Sequence, residues 1–324
     1  MIERENYLDI IAGLLILVML GLHFGIISGE EHTIGPLFSF YMAWFFFKSG
    51  MFHQFDKKLT KKSIGALVKK LIVPFIVFSV YGLILELIQN TYDFHSIHKS
   101  IYSFIVQILL MGFAWCNAPL WFLLALFVAR AVTMVLPFRL WWIWVLVFGS
   151  IAIIHNFMFV ERYNYIGNAS LAIVYYIAGY KLKNAHNSKV LVGISLFMYL
   201  VIFTFFPVFL DIRSNSTGYG NYLIAVTSSI FGIIFINYIF HNFKIPFGNI
   251  IAFVGKNAMF YLVLHWPIMM FLRNLPPPEF MSLCTSDLNV FFCNLIIGLI
   301  TFAICTAACL LLNKSSKFKW ILGR

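Results

Sequence analysis

The sequence predicts an all-α, polytopic membrane helix bundle of about ten transmembrane helices, both termini cytoplasmic, forming one domain over residues 1–324. Three observations carry that expectation. The first is composition: 61% of the residues are hydrophobic and 19% aromatic, while 11% are charged. A soluble domain carries about 25% charged residues. So few charges cannot cover a water-facing globule, which excludes a soluble enzyme, a disordered chain and a disulfide scaffold. The second is that the apolar residues gather into runs close to the ~20 residues that a bilayer-crossing helix needs. The third is that basic residues concentrate on alternate connections between those runs, as the positive-inside rule requires. The net charge of +11 therefore belongs to connections beside a membrane and implies no nucleic-acid partner.

The runs fall at 7–28, 36–53, 64–90, 118–137, 141–160, 169–182, 188–210, 222–240, 250–272 and 288–312. The residues before the first are too acidic for a signal peptide's leader and no small-residue cleavage site comes after it, so this run is expected to be a retained span. A shorter run, 101–113, lies between the third and fourth spans. It is too short to cross comfortably and is expected to be re-entrant or interfacial. With the N-terminus inside, 16 of the 23 basic residues fall on cytoplasmic connections, 4 fall outside, and Lys48, Arg130 and Lys256 fall within spans. If 101–113 crossed fully, every later connection would invert and the bias would vanish.

The five cysteines form no CxxC pair and no Cys/His cluster at metal-ligand spacing, so no metal is expected. Cys284, Cys293, Cys305 and Cys309 lie in or beside the last run and read as small apolar packing residues. Gly21-xxx-Gly25 has the small-xxx-small spacing that lets a neighbouring helix approach.

Ionisable residues inside spans are costly and mark functional candidates. Counted at ~1.5 Å per residue, His23, His155 and His265 all lie about 21–24 Å from the inner ends of their spans. Glu86 sits near the outer end of span three. Two or three imidazoles and a carboxylate thus share one outer level, where they can surround a single cavity. Imidazole exchanges a proton near neutral pH, and a carboxylate can fix its tautomer. At the inner level stand Lys48 and Arg130, with Lys57, Lys58, Lys61 and Lys62 on the adjoining connection. That connection is mostly explained by the positive-inside rule and lipids of negative charge, and the same cluster can hold the phosphates of an anionic, nucleotide-bearing donor.

Several motifs resemble one family. Tyr7-Leu-Asp-Ile-Ile-Ala-Gly-Leu-Leu-Ile-Leu-Val-Met-Leu-Gly-Leu-His23 is similar to the first span of the acyltransferase 3 family of integral membrane acyltransferases. Phe45-Phe-Phe-Lys-Ser-Gly resembles its second span, Lys69-Lys-Leu-Ile-Val-Pro the start of its third, and Pro119-Leu-Trp-Phe-Leu a later segment. Val254-Gly-Lys-Asn-Ala-Met-Phe-Tyr-Leu-Val-Leu-His265-Trp-Pro resembles its ninth-span motif. The motifs occur in the family's order and cover nearly the whole chain.

The resemblance implies O-acylation, usually O-acetylation, of a glycan outside the plasma (inner) membrane, with acetyl-CoA or another acyl-CoA supplied from the cytoplasm. The acceptor is then a glycan, free or lipid-linked. Carried over by motif, His23 and His265 are the catalytic candidates, with His23 as general base or as a transient acyl-imidazole carrier. His265 polarises the carbonyl or positions the sugar, and Glu86 is the carboxylate candidate beside them. Trp121, Trp266 and His155 are expected at the acceptor. Lys48, Lys57, Lys58, Lys61, Lys62 and Arg130 are expected at the donor's phosphates. One departure stands out: Ala12 occupies the place of the family's basic residue, and Lys48 is the expected substitute for that charge. A proton-coupled transporter or flippase, and a catalytically inactive family member, are the competing readings.

Overall fold

The computed structural model describes residues 6–27, 35–53, 60–89, 94–158, 164–217, 221–275 and 287–314. Its helices are α1 (Asn6–His23), α2 (Tyr41–Met51), α3 (Lys61–Gln89) and α4 (Phe94–Met111). They continue with α5 (Trp121–Val135), α6 (Trp141–Met158), α7 (Asn164–Lys181) and α8 (Lys189–Phe205). The last four are α9 (Tyr222–Asn242), α10 (Gly248–Lys256), α11 (Ala258–Arg273) and α12 (Asp287–Lys314). One two-residue hairpin, Leu210–Asp211 against Ser216–Thr217, supplies the strands of the described residues. Six helical stretches are long and apolar enough to cross a bilayer, and α8 and α11 are apolar but shorter. The outer surface displays large apolar side chains such as Phe157, Val190, Phe197 and Leu109, a surface that suits lipid and not water.

Local chemistry explains where the helices deviate. Pro74 has no N–H for the carbonyl four residues before it, and α3 takes a π turn at Val68–Ile72 just ahead of it. The predicted ninth span is not one helix. It breaks at Asn257, whose φ of −111° and ψ of 18° end α10, and α11 starts afresh. Depth counted from residue 250 therefore mismeasures the height of His265. The run at 101–113 belongs to a longer element, the 18-residue α4, most of which falls within an apolar stretch, Ile97–Val135, long enough to cross a bilayer. The exposed Ile101, Tyr102, Ile105 and Leu109 of α4 form one outward stripe.

Close helix crossings are built on glycine, at positions other than the predicted pair. A Cβ on Gly13 would sit 2.0 Å from the Ile251 carbonyl oxygen, and one on Gly255 1.8 Å from that of Asp9, so α1 and α10 cross backbone to backbone. Gly50 and Gly179 do the same for α2 and α7, against the carbonyls of Tyr176 and Phe47 at 1.9 and 2.0 Å. Gly25, by contrast, lies beyond the end of α1 with φ of +71°, so Gly21-xxx-Gly25 is not a helix-packing stripe. Cys305 and Cys309 are not disulfide-bonded and are fully buried, as packing residues are. Cys293 is instead disulfide-bonded, and Cys284 lies outside the described residues.

These crossings make a direct expectation. Gly50→Ala places a methyl inside a backbone carbonyl's contact distance and should cost at least the ~1–3 kcal/mol of an overpacked core. Gly193→Ala, where a Cβ meets nothing within 4 Å inside α8, should be neutral or stabilise by about 0.5–1 kcal/mol. Thermal unfolding of the detergent-solubilised protein measures both.

Candidate active site

His23 is the last helical residue of α1, and the chain beyond it folds back in a Schellman turn. The Ile26 amide donates to the Gly21 carbonyl at 2.9 Å, and the Gly25 amide to that of Leu22 at 3.2 Å. Gly25 supplies the left-handed residue that this turn needs. The Phe24 carbonyl, a helix-end acceptor without an intrahelical donor, receives the Arg273 guanidinium at 3.2 Å, and Arg273 also reaches Asn294 at 3.3 Å. One cation therefore ties the ends of α1 and α11 to α12.

His265 on α11 is fixed by a second device. Pro267 lacks the N–H that the Val263 carbonyl would accept in a regular helix. Asn117 supplies the missing donor, its Nδ2 lying 2.9 Å from the Val263 carbonyl and 3.1 Å from that of Phe78 on α3. Asn117 is fully buried and non-helical, at φ −148° and ψ 65°. The kinked turn Trp115–Leu120 around it leads straight into Trp121.

The end of α1 and the proline-broken turn of α11 bring His23 and His265 together. Nδ1 of His23 lies 2.8 Å from Nε2 of His265, and the rings are parallel to within 10°. Nδ1 of His265 lies 2.6 Å from the Tyr261 carbonyl oxygen, which can only accept, so that nitrogen carries the proton. A neutral ring has one N–H, which leaves Nε2 of His265 as an acceptor. Nδ1 of His23 must then donate to it, and the lone pair of His23 remains on Nε2. The tautomer of the first ring is thus dictated by a backbone carbonyl two hydrogen bonds away. His265 is fully buried, whereas His23 lines a cavity of about 330 Å³.

That cavity is walled by Tyr41, Trp121, Phe209 and Trp266, with Asp211 and Arg213 from the hairpin. Trp266 meets His23 edge-on at 5.2 Å and donates its indole N–H to the Trp115 carbonyl at 2.8 Å. Arg213 pairs with Asp211 at 3.5 Å and lies over the Trp115 ring at 5.2 Å. A second cavity of about 260 Å³ adjoins the first and shares Met19, Met42 and Leu262 with it. Its far end holds Lys48, Ser49 and Arg130. Lys48 reaches the Leu8 carbonyl at 3.2 Å and Asp9 at 3.8 Å. Arg130 donates to the Ser49 hydroxyl at 2.9 and 2.7 Å. No carboxylate among the described residues lies within ion-pairing distance of Arg130.

The comparisons bear on this arrangement. A model of an acyltransferase domain family, acyltransferase 3, matches residues 5–321. The chain belongs to that family. No curated protein and no solved structure matches it. In this acyltransferase the exchange of the family's cation for Lys48 is limited by geometry. Ala12 is buried, and Lys48 sits about one helical turn below it, at Leu8 and Asp9. From that level to His23 is about 21 Å along α1, so Lys48 does not touch the imidazole.

Other residues singled out in the sequence lie elsewhere. Glu86 borders a separate cavity with Gln89, Cys116 and Phe271, and His155 is buried on α6 close to Gly167. Neither lines the His23 cavity. Lys61 and Lys62 are exposed at the start of α3, and Lys57 and Lys58 lie outside the described residues. The structure adds Asn117, Ser49, Tyr41, Asp211 and Arg213. An internal proline four residues after a buried carbonyl was the one available signal for Asn117.

Removing the donor for Val263 tests that linkage. Asn117→Leu strands a buried carbonyl and should cost about 1–3 kcal/mol, seen as a lowered thermal midpoint in detergent and as weakened acyl transfer.

Proposed function

We propose that this acyltransferase moves an acyl group, acetyl in the simplest case, from acyl-CoA on the cytoplasmic side to a hydroxyl of a glycan on the outer side of the plasma membrane. The observation that carries the reading is the His23–His265 pair, which leaves a lone pair on Nε2 of a ring lining a cavity that adjoins a second one ending in two cations. The acceptor hydroxyl is a poor nucleophile at neutral pH until a base takes its proton. Its oxygen attacks the thioester carbonyl carbon as Nε2 of His23 accepts that proton. Collapse of the tetrahedral intermediate breaks the C–S bond, and the imidazolium returns the proton to the leaving thiolate. Thioester plus alcohol thereby become ester plus thiol. His265 keeps the base in the correct tautomer and is a positioning residue. Trp121 and Trp266 offer faces to a pyranose ring, and Asp211 and Arg213 offer polar contacts for its hydroxyls.

The donor's phosphates meet Arg130 and Lys48. Arg130 is the stronger anchor, because Asp9 already offsets the charge of Lys48 while Arg130 has a neutral hydroxyl partner. The reading rests on ten spans with both termini inside. One feature supports that topology: the disulfide-bonded Cys293 lies near the start of α12, on the side assigned to the oxidising exterior.

His23→Ala should lower kcat for acetyl transfer by about 10²–10⁴-fold with the fold intact. His265→Leu should lower it by about 10–10³-fold, and His265→Gln, whose carbonyl oxygen can accept from His23, should recover part of the loss. Equal activity of the Leu and Gln variants would reject the tautomer argument. Radiolabelled acetyl retained on protein without acceptor, and lost in His23→Ala, would show an acyl-imidazole carrier instead of a base. Arg130→Gln should raise KM for acetyl-CoA by about tenfold or more with a smaller change in kcat, consistent with loss of a charge-assisted contact; an unchanged KM would place the phosphates elsewhere.

A further inference from the structure

The two cavities adjoin across three shared side chains, as the two ends of one path would, and their walls are helical stripes. On α1 the stripe is Ile16, Met19 and His23, and on α11 it is Met259, Leu262 and Trp266. On α2 it is Met42, Phe45 and Ser49, and on α5 it is Phe122, Leu126 and Arg130. Every step within these stripes is three or four residues, the spacing that stacks side chains on one face of a helix. Each stripe is polar or aromatic at its working end and apolar in the middle. Where the two cavities meet, three of the four helices contribute one side chain each: Met19, Met42 and Leu262 border both spaces. They are 1%, 6% and 5% exposed, so the path is shut here by hydrocarbon and thioether.

The distances make this constriction matter. About 21 Å separates the level of Lys48 from His23 along α1, so a donor anchored by its phosphates must present its thioester on a long, thin arm. That arm has to pass between Met19, Met42 and Leu262. Methionine is unbranched and flexible, well suited to yielding to a thin guest and closing behind it. An apolar constriction that closes also excludes water and ions by dewetting.

Resting on the acyl-transfer reading, we propose that Met19, Met42 and Leu262 form a dry gate that only the donor's linear arm opens, so that the gate selects acyl groups by width and seals the path when no donor is bound. Straight, narrow acyl groups reach His23. Groups branched or ringed next to the carbonyl are held back on the cytoplasmic side.

Two measurements on the full chain test this. The first compares kcat/KM for acetyl-CoA, isobutyryl-CoA and benzoyl-CoA. Met42→Ala and Met19→Ala should raise the isobutyryl-to-acetyl ratio by about tenfold or more, the scale of discrimination that one branch supplies in an apolar pocket. Met42→Leu keeps the volume but adds a branch and stiffness, and should lower the same ratio. Ratios within about twofold of the unmodified protein in the folded variants would overturn the proposal, since that is well under the effect of one branch. If an alanine variant does not fold, the direction of the Met42→Leu shift decides.

The second measurement needs no acyl transfer. In liposomes with a trapped pH dye and no donor, Met19→Ala/Met42→Ala should dissipate a proton gradient several-fold faster than the unmodified protein. Acetyl-CoA should slow that leak by filling the path. A double variant as tight as the unmodified protein would remove the sealing role. A protein that transfers no acyl group at all would defeat the functional reading, while the leak comparison would still report on the gate.

Discussion

A neutral imidazole has one proton to place, and the carbonyl of Tyr261 decides where His265 puts it. That single hydrogen bond sets the acceptor at Nε2, the donor at Nδ1 of His23, and leaves a lone pair on Nε2 of His23, whose ring lines the cavity. The two histidines stand 242 residues apart in sequence. Much of the bundle serves to bring the end of α1 and the middle of α11 close enough for the two rings to meet at 2.8 Å. The Schellman turn at Gly25 stops α1 on the right residue, Arg273 clamps the two ends, and Asn117 repairs the break that Pro267 makes in α11. An imidazole held this firmly at a helix terminus loses little ordering entropy when a ligand arrives.

The bundle reaches that arrangement by giving up side chains for proximity. Gly13 and Gly255 let α1 and α10 touch backbone to backbone, and Gly50 and Gly179 do so for α2 and α7. In lipid, where apolar burial gives helices little reason to associate, such approach lets dispersion contacts and weak hydrogen bonds act. The polar contacts are placed with the same restraint. Trp44 donates to the buried Asn237 at 2.9 Å, and Asn313 ties α12 to the break at Asn257 at 3.0 Å. Each polar side chain so placed answers a specific polar partner.

Much of the fold and part of the site were legible in the residues alone. Composition and run length pointed to a membrane helix bundle, and the motif order around His23 and His265 pointed to the family that matches residues 5–321. Helix ends were less legible. The ninth run reads as continuous because hydropathy is blind to the local hydrogen bonding at Asn257, and a glycine pair four apart reads the same inside a helix as just past its end. Depth along a span grouped His155 and Glu86 with the two catalytic candidates, since height says nothing about which way a helix face is turned. Asp211 and Arg213 were unreadable as site residues because a short connection between apolar runs gives no sign that it folds inward over a cavity.

The repair of α11 by Asn117 has a consequence for how the protein comes together. The two groups that pair there, on Asn117 and Val263, are 146 residues apart. A ribosome therefore releases the proline-bearing segment long after its partner has emerged. Until the early and late parts of the bundle dock, the Val263 carbonyl faces hydrocarbon without a donor, a state that lipid strongly disfavours. The geometry of the imidazole pair is thus a late product of assembly, and a half-built bundle carries the histidines but not their alignment.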